Sequence, residues 1–210
     1  MANVLLGVTG SVAAILTPEL VQALKQAGHQ VRVVTTRAGL YFFDAAAVDD
    51  IRDEDEWPGK DQGRLWQRGE PVLHIELRRW ANVLVIAPLD ANTLAKLALG
   101  LCDNCLTSVW RAWDRTRPVV LAPAMNTLMW EHPATVRHLR QIAADLGAEP
   151  PGLGLDELVT WINDHCPTLR VAAPVSKRLA CDDVGVGAMA GAAEVVATVQ
   201  AACGLATGQC

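Results

Sequence analysis

The chain has 210 residues, 51% of them apolar, and a formal net charge of −5 at pH 7. This length and composition are typical of one globular domain with a full core, and the negative charge argues against a nucleic-acid partner because no Lys/Arg cluster is longer than a pair. The apolar runs are too short to span a membrane and the first residues lack a basic region, so we expect a cytoplasmic protein without a membrane partner.

The predicted elements alternate between strand and helix along the chain. Residues 4–8 form the first expected strand, and the stretch to Ala27 is expected to be a helix that Thr17 and Pro18 restart or kink and that Gly28 closes. Further predicted strands lie at 31–36, 83–87 and 119–122, with helices at 92–99 and 105–112. This succession predicts an α/β fold with a doubly wound, mostly parallel sheet in three layers. We expect a single domain over 1–200 and a frayed tail at 201–210.

Six cysteines raise the question of disulfides or a metal site. Disulfides are rare in a reducing cytosol. Cys102 and Cys105 have metal-ligand spacing, but no second pair with comparable spacing accompanies them. We therefore expect no metal, and we predict that Cys102 and Cys105 are core residues at the start of a helix.

The first strand ends in the turn Gly-Val-Thr-Gly-Ser at 7–11. Glycines allow a phosphate to approach the backbone, and the N-terminus of the following helix offers unpaired N–H groups. The same pattern also occurs where packing alone requires glycine, so the turn by itself leaves both interpretations open. The turn lacks the Gly-x-Gly-x-x-Gly spacing of dinucleotide sites, which favours a mononucleotide over NAD.

The segment Pro-Ala-Met-Asn-Thr-Leu-Met-Trp at 123–130 directly follows a predicted strand. Asn126 is its amide, in surroundings otherwise poor in polar groups. A buried or half-buried amide without partners costs on the order of 1–3 kcal/mol, so Asn126 is expected either to cap the following turn or to recognise a ligand. Ligands bind open α/β sheets at the carboxyl ends of strands, where this segment lies.

His74 lies in the segment Pro-Val-Leu-His-Ile-Glu-Leu-Arg-Arg-Trp at 71–80. A lone histidine is more often a surface or core residue than a catalytic one, so the residues alone favour an ordinary role for His74 and for the other histidines. Arg78, Arg79 and the acidic stretch 53–56 are predicted to be solvated faces or subunit contacts.

Four segments occur together in order: Leu-His-Ile-Glu-Leu-Arg-Arg-Trp at 73–80, Ala-Pro-Leu-Asp-Ala-Asn-Thr at 87–93, the segment 123–130, and Lys-Arg-Leu-Ala-Cys at 177–181. This ordered set resembles the flavin-containing cysteine decarboxylases over about residues 3–189, with one interruption. The resemblance implies a flavodoxin- or Rossmann-like fold and FMN as the cofactor. It also implies a homotrimer, or a multiple of trimers, with FMN near a subunit boundary.

The resemblance assigns roles to individual residues. His74 matches the family's base near the substrate thiol, Asn126 matches the group that binds the substrate carboxylate, and Met129 is expected beside the substrate. Cys181 matches the residue that supplies a proton to the product. The expected FMN contacts are Gly10, Ser11, Val12, Thr35, Thr36, Phe42, Asp90, Ala91, Asn92, Thr93 and Ala124.

The implied reaction is the decarboxylation of an N-acylcysteine. Such a cysteine cannot form an imine with pyridoxal phosphate, so another electron sink is needed. Oxidation of the thiol carbon to a thioaldehyde provides one, because its C=S accepts the electrons when CO2 leaves and an enethiolate forms. Retention of Cys181 favours phosphopantothenoylcysteine of coenzyme A biosynthesis as the substrate.

Two alternatives remain open. A C-terminal peptidyl-cysteine would give an aminoenethiol, as in relatives from peptide natural-product pathways. Asp182 in place of the family's Gly, and what reads as an insertion over 150–170 within a substrate flap at 150–190, favour this alternative. Relatives of other classes inhibit a phosphatase as regulatory subunits or transfer prenyl groups, but this chain lacks the long acidic tails of the former and carries cysteine and histidine motifs that count against the latter.

Overall fold

The computed structural model describes residues 1–178 and 184–207. Its main sheet contains β1 Asn3–Val8, β2 Gln30–Thr35, β3 Asp50–Arg52, β4 Val83–Leu89, β5 Val119–Pro123 and β6 Leu169–Val171. The strands are parallel and their order is β3-β2-β1-β4-β5-β6. This is the order of a doubly wound Rossmann-type sheet, which confirms the predicted fold class.

Helices cover both faces of the sheet. They are α1 Thr17–Gln26, α2 Leu73–Trp80, α3 Ala91–Leu99, α4 Cys105–Arg111, α5 Thr127–Trp130, α6 Pro133–Asp145, α7 Leu155–His165 and α8 Ala192–Thr207. Helices α1 and α8 pack on one face, and α2, α3, α4, α6 and α7 contribute to the core on the other. Two 3-10 turns matter for the site: Val12–Leu16 follows β1, and Asp53–Glu56 follows β3.

Strand β4 shows why the sequence of a central strand is apolar without interruption. All of its residues are buried. Leu84 and Ile86 belong to one core, whereas Val83 and Val85 belong to the other, because successive side chains point to opposite faces. Each such buried side chain contributes about 1.5–3 kcal/mol, so β4 anchors the centre of the sheet.

The predicted elements agree with the structure to within two residues at each boundary. Helix α1 begins at Thr17 with Pro18 in its first turn, after the separate 3-10 turn Val12–Leu16. The restart predicted at Pro18 is therefore confirmed, although Leu16 rather than Thr17 occupies the capping position. Cys105 is buried as the first residue of α4, but Cys102 is exposed in the preceding loop, which corrects its expected place in the core.

Residues 155–171 pack as part of the scaffold of the sheet, which argues against their place in a substrate flap, whereas the insertion expected over 150–170 stays a prediction. Helix α7 packs against α6 with Leu158 and Ile162 fully buried, and β6 pairs with β5 at the edge of the sheet. The antiparallel hairpin of β7 Val175–Arg178 and β8 Val184–Ala188 is what remains as a candidate flap.

The C-terminal segment is more regular than expected. Helix α8 continues to Thr207, so 201–207 is helical where fraying was predicted, and 208–210 lie outside the described residues. Within the described part of the chain, no helix has the length and hydropathy needed to cross a membrane.

Candidate active site

Thr9 joins the ends of β1 and β4, where the strand order reverses. Its hydroxyl donates to the Pro88 carbonyl (2.8 Å) and accepts from the Asp90 N–H (2.8 Å). The Thr9 N–H also donates to the Pro88 carbonyl (3.2 Å), and the residue is fully buried. The crevice at such a switch point is where open α/β sheets bind ligands. We call this place the β1–β4 crevice.

Gly10 follows Thr9 and approaches two neighbouring loops closely. A Cβ at this position would lie 2.6 Å from the Cβ of Ala38 and 3.2 Å from Oδ2 of Asp90. Packing within the protein therefore already requires glycine here. The bare backbone at the crevice also leaves it open to a ligand.

Two helical segments begin at this crevice. The Ser11 hydroxyl caps the 3-10 turn by accepting from the Ala13 N–H (3.4 Å), and the Asp90 carboxylate caps α3 by accepting from the Thr93 N–H (2.6 Å). The first N–H groups of a helix have no intrahelical partner. The structure thus brings together most of the predicted FMN contacts: Gly10, Ser11, Val12, Asp90, Ala91, Asn92 and Thr93. Ala124 joins them from the end of β5, since its N–H donates to the Leu89 carbonyl (2.9 Å).

Thr35 and Thr36 lie at the end of β2, the strand beside β1, and both hydroxyls have protein partners. The Thr35 hydroxyl donates to the Asp50 carboxylate, and the Thr36 hydroxyl accepts from the Gly39 N–H (3.3 Å). Burial raises the pKa of Asp50, although its hydrogen bond from Thr35 acts in the opposite direction. Phe42 packs against the core that α1 and α8 share.

Asn126 is the N-cap of α5. Its Oδ1 accepts from the Met129 N–H (2.8 Å), which leaves the amide NH2 group as a pair of donors for another acceptor. Capping and ligand recognition, which the sequence presented as alternatives, are therefore compatible. Asn126 is exposed, and beside it Leu128 and Met129 are exposed to 78% and 48%.

The β7–β8 hairpin lies against the turn that carries Asn126. The Met125 N–H donates to the Gly187 carbonyl (2.9 Å). A Cβ on Gly187 would lie 2.2 Å from the Met125 carbonyl oxygen, and one on Gly185 would lie 2.3 Å from Thr127 Oγ1. Neither position has room for a side chain: the backbone at Gly187 packs on the backbone of Met125, and the backbone at Gly185 packs on the side chain of Thr127. The predicted catalytic Cys181 falls between β7 and β8 in the sequence and lies outside the described residues.

His74 is the second residue of α2, and Glu56 holds it at two atoms. The His74 backbone N–H donates to Glu56 Oε2 (3.1 Å), and ring Nδ1 hydrogen-bonds Oε1. The Glu56 side chain is 2% exposed and the His74 side chain 22%. This burial corrects the interpretation as a solvated face at Glu56, whereas Asp55 is exposed as predicted. Helices α2 and α4 pack against this turn.

The same turn also holds the start of α4. The Asp53 carboxylate accepts from the Cys105 N–H (3.0 Å), and the Cys105 thiol lies near the carboxylate of Glu56. Burial, followed by the nearby charge of Glu56, raises the pKa of this thiol far above its ordinary value of 9.0. Cys105 is therefore a neutral group that can donate to the carboxylate.

The two arginines of α2 differ in their surroundings. Arg78 is half-buried and donates to the Ala112 carbonyl (3.1 Å), so it is not part of a solvated face. Arg79 is exposed, as predicted. Among the described residues, no three His, Cys, Asp or Glu side chains are grouped so that they could hold a metal ion.

The sheet order separates His74 from the other candidate residues. The turn that holds His74 follows β3, whereas Asn126 follows β5, four strands away. At about 4.8 Å per strand this corresponds to about 19 Å. Helix α2 packs against α4 and the turn Asp53–Glu56, and α5 packs against β8. One chain therefore places Asn126 near the β1–β4 crevice and His74 at a distance from it.

Three features of the site were missed in the sequence. Thr9 lies within the glycine turn, where a hydroxyl between two glycines was the available signal. Gly185 and Gly187 alternate in a strand, where glycine often marks close backbone approach. Glu56 offered no local signal, because α2 and α4, which are distant in sequence, bury it.

Comparison with known proteins identifies relatives over nearly the whole chain. A family model described as flavoprotein matches residues 1–204. Phosphopantothenoylcysteine decarboxylase of Arabidopsis thaliana is 46% identical over 203 residues, which cover 94% of this chain and 83% of that protein. The protein of the same name from Mus musculus is 46% identical over 95% of this chain and 86% of its own length.

Solved structures show the same relationship. A PPC decarboxylase mutant complexed with pantothenoylaminoethenethiol is 45% identical, with a TM-score of 0.76 and coverage of 95% of this chain and 96% of that one. The FMN binding protein AtHal3 is 44% identical, with a TM-score of 0.74 and 95% coverage of both chains. SpaF, an FMN-dependent cysteine decarboxylase, is 27% identical, with a TM-score of 0.64 and coverage of 96% and 98%.

The fold agrees with this relationship. The family model spans far more than half of the chain, and the named relatives exceed 40% identity over most of both lengths. The chain belongs to the flavoprotein family.

Proposed function

We propose that this chain is an FMN-dependent decarboxylase that removes the cysteine carboxylate of phosphopantothenoylcysteine in coenzyme A biosynthesis. Relatives at 46% identity carry this activity in their names, and the relationship to AtHal3 supports FMN as the cofactor. One structural observation carries the proposal. The Asn126 cap engages the amide oxygen and leaves two N–H donors for a carboxylate.

The β1–β4 crevice fits the phosphate end of a mononucleotide. Gly10 presents bare backbone, Ser11 presents a hydroxyl, and α3 begins beside them. A phosphate binds at such helix N-termini because of their free N–H groups and partial positive charge. These residues and Asp90–Thr93 would hold FMN, which when bound supplies a two-electron acceptor for the thiol-bearing carbon of the substrate.

Asn126 would orient the substrate carboxylate through its NH2 group. A carboxylate held by directional donors has fewer orientations to lose before CO2 leaves, which lowers the barrier. The exposed Met129 would contact the apolar part of the substrate next to this carboxylate.

His74 would accept the thiol proton of the substrate. Because Nδ1 is bonded to Glu56, Nε2 is the ring nitrogen that remains for a substrate. A neutral imidazole with its proton on Nδ1 carries a free lone pair on Nε2 and can act as a base there. Cys181 would return a proton to the product, as its match to the family implies.

The separation of His74 from Asn126 supports a site built from two copies of the chain. Only three bonds separate the sulfur of a cysteine from its carboxyl carbon, so one substrate cannot bridge the ends of β3 and β5, which lie about 19 Å apart. We therefore propose a homotrimer in which His74 of one copy reaches the Asn126 turn of the next, with FMN at their boundary.

Mixing two inactive variants tests this arrangement. H74N and N126D are each expected to be inactive alone. After unfolding and refolding together in equal amounts, about a quarter of the boundaries in a cyclic assembly combine an intact His74 with an intact Asn126. Recovery of about that fraction of activity supports a shared site. No recovery in assemblies shown to be mixed contradicts it.

Direct assay of substrates tests the reaction. We expect phosphopantothenoylcysteine to be converted to pantetheine phosphate, identified by mass spectrometry, and the chromophore released on denaturation to be FMN. The C181S variant should still release CO2 but accumulate a product about two mass units lighter, because one hydride and one proton are withheld. Absence of flavin after reconstitution would contradict the proposal.

A second candidate substrate is a C-terminal peptidyl-cysteine. SpaF, an FMN-dependent cysteine decarboxylase at 27% identity, supports the shared chemistry. The PPC decarboxylase structure is much more similar at 45%, and the packing of α7 and β6 with the sheet weakens the argument from a rebuilt flap. Conversion of a peptide to the lighter enethiol, unchanged by C181S, would favour this candidate.

A further inference from the structure

The carboxylate of Glu56 is almost fully buried. It borders a cavity of about 730 Å³ whose wall includes Trp57, Trp66 and Val72. A buried carboxylate is destabilising unless hydrogen bonds replace its contacts with water. The partners of Glu56 therefore indicate what this carboxylate does.

Two donors of one residue converge on the oxygens of Glu56. The backbone N–H of His74 donates to Oε2 (3.1 Å), and ring Nδ1 of His74 bonds Oε1. His74 lies in the first turn of α2, where the N-terminal partial positive charge favours an anion. Cys105, at the start of α4, lies close enough for the charge of Glu56 to raise the pKa of its thiol.

From this geometry we propose that Glu56 is a positioning residue for His74, which fixes the direction of the imidazole and keeps its proton on Nδ1. The inference rests on the proposed role of His74 as the base. One carboxylate holds both the backbone and the ring of the same residue, which restricts rotation of the side chain. Nε2 then points its lone pair in a fixed direction, as in other bases oriented by a third group.

Two variants test separately the charge and the length of the Glu56 side chain. E56Q keeps the length of the side chain but has one oxygen, so it can accept from only one of the two His74 N–H groups. E56D keeps the charge but is one methylene shorter. We expect each to lower kcat at least about tenfold with little change in KM. The matched control is D55N, which removes a neighbouring carboxylate that accepts from the Arg52 N–H and does not bond His74.

Ring spectroscopy supplies a readout that a purely structural role would not change. The chain has five histidines, so selectively 15N-histidine-labelled holoenzyme gives few ring signals, and H74N identifies that of His74. We expect the wild-type ring to carry its proton on Nδ1. In E56Q and E56D the ring is expected to show a mixture of tautomers, whereas D55N retains the wild-type pattern.

The results decide between clear outcomes. A changed His74 tautomer together with lower kcat, in variants that keep FMN and their melting temperature, supports the inference. A wild-type proton on Nε2, or unchanged ring signals or unchanged kcat in E56Q, overturns it, and the wild-type measurement requires no variant to fold. Full activity of H74N is a different result, because it contradicts His74 as the base and thus the proposed function.

Discussion

The β1–β4 crevice and the surroundings of His74 are built in different ways. In the crevice, Thr9, Gly10 and Asp90 contact one another across two adjacent strand ends, so several short contacts hold these ends together. His74 instead depends on one carboxylate, 18 positions away in sequence, for both its backbone and its ring. The comparison teaches that the proposed cofactor site is held by many contacts, whereas the orientation of the proposed base depends on a single partner.

The largest effects are expected from His74 and Asn126. H74N and N126D should each lower turnover at least about a hundredfold and keep bound FMN, because neither residue lies in the β1–β4 crevice. Aspartate is itself a good N-cap, so N126D keeps α5 while it repels the substrate carboxylate. Turnover and flavin absorbance measure the two effects.

H138N is a suitable control for these variants, since it alters a half-buried histidine of α6 that has no assigned role. It should retain wild-type turnover. If H74N or N126D is as active as this control, the residue concerned is structural.

A second large effect tests the crevice itself. In G10A the new Cβ would meet the Cβ of Ala38 at 2.6 Å, so backbone must shift. We expect loss of FMN on purification and a decrease of about 1–3 kcal/mol in the free energy of unfolding. The control G152A adds a Cβ that would have nothing within 4 Å and should behave as wild type. Full FMN content in G10A would show that the crevice is not tightly fitted.

Removing the hydroxyl of Thr9 should give a moderate effect on stability. T9V leaves the Asp90 N–H without its acceptor, which costs about 1–3 kcal/mol for a buried group. Denaturant unfolding measures this change. T198V removes a hydroxyl that donates to the Glu194 carbonyl of α8 and should change stability much less. Equal values for the two variants would contradict a special role of Thr9 in joining the strands.

The smallest effect concerns Asp50 of β3 and the dependence of stability on pH. Burial raises the pKa of Asp50 above its ordinary value of 3.8. The folded state therefore binds this proton more tightly than the unfolded state, so the contribution to stability is full below 3.8 and is lost as pH rises through the raised value. In D50N this decrease should be absent, as unfolding measured at a series of pH values can show. An identical pH dependence in both proteins would contradict the assignment.

The sequence predicted features that depend on neighbouring residues. Strand β4 was recognisable because its residues are apolar without interruption, and Asn126 was recognisable as a cap because it precedes a short helix. The burial of Glu56 was not predictable from its neighbours in the sequence. Its burial results from α2 and α4 packing over the turn, which no local pattern in the acidic stretch encodes.

Two further differences have the same origin. Residues 150–170 were predicted to belong to a substrate flap, yet Leu158 and Ile162 are buried in the core beside the sheet. Cys102 and Cys105 have the same residue type and similar neighbours, but only Cys105 enters the core, because α4 begins there. Such distinctions depend on tertiary packing rather than on composition.

The contact of the β7–β8 hairpin with the Asn126 turn is made by backbone at Gly185 and Gly187. A contact of this kind does not depend on the side chains elsewhere in the hairpin. The exposed side chains of β7 can therefore change in sequence while the Asn126 turn keeps its place. Substrate preference within the family can thus diverge through such side chains without any change in the fold.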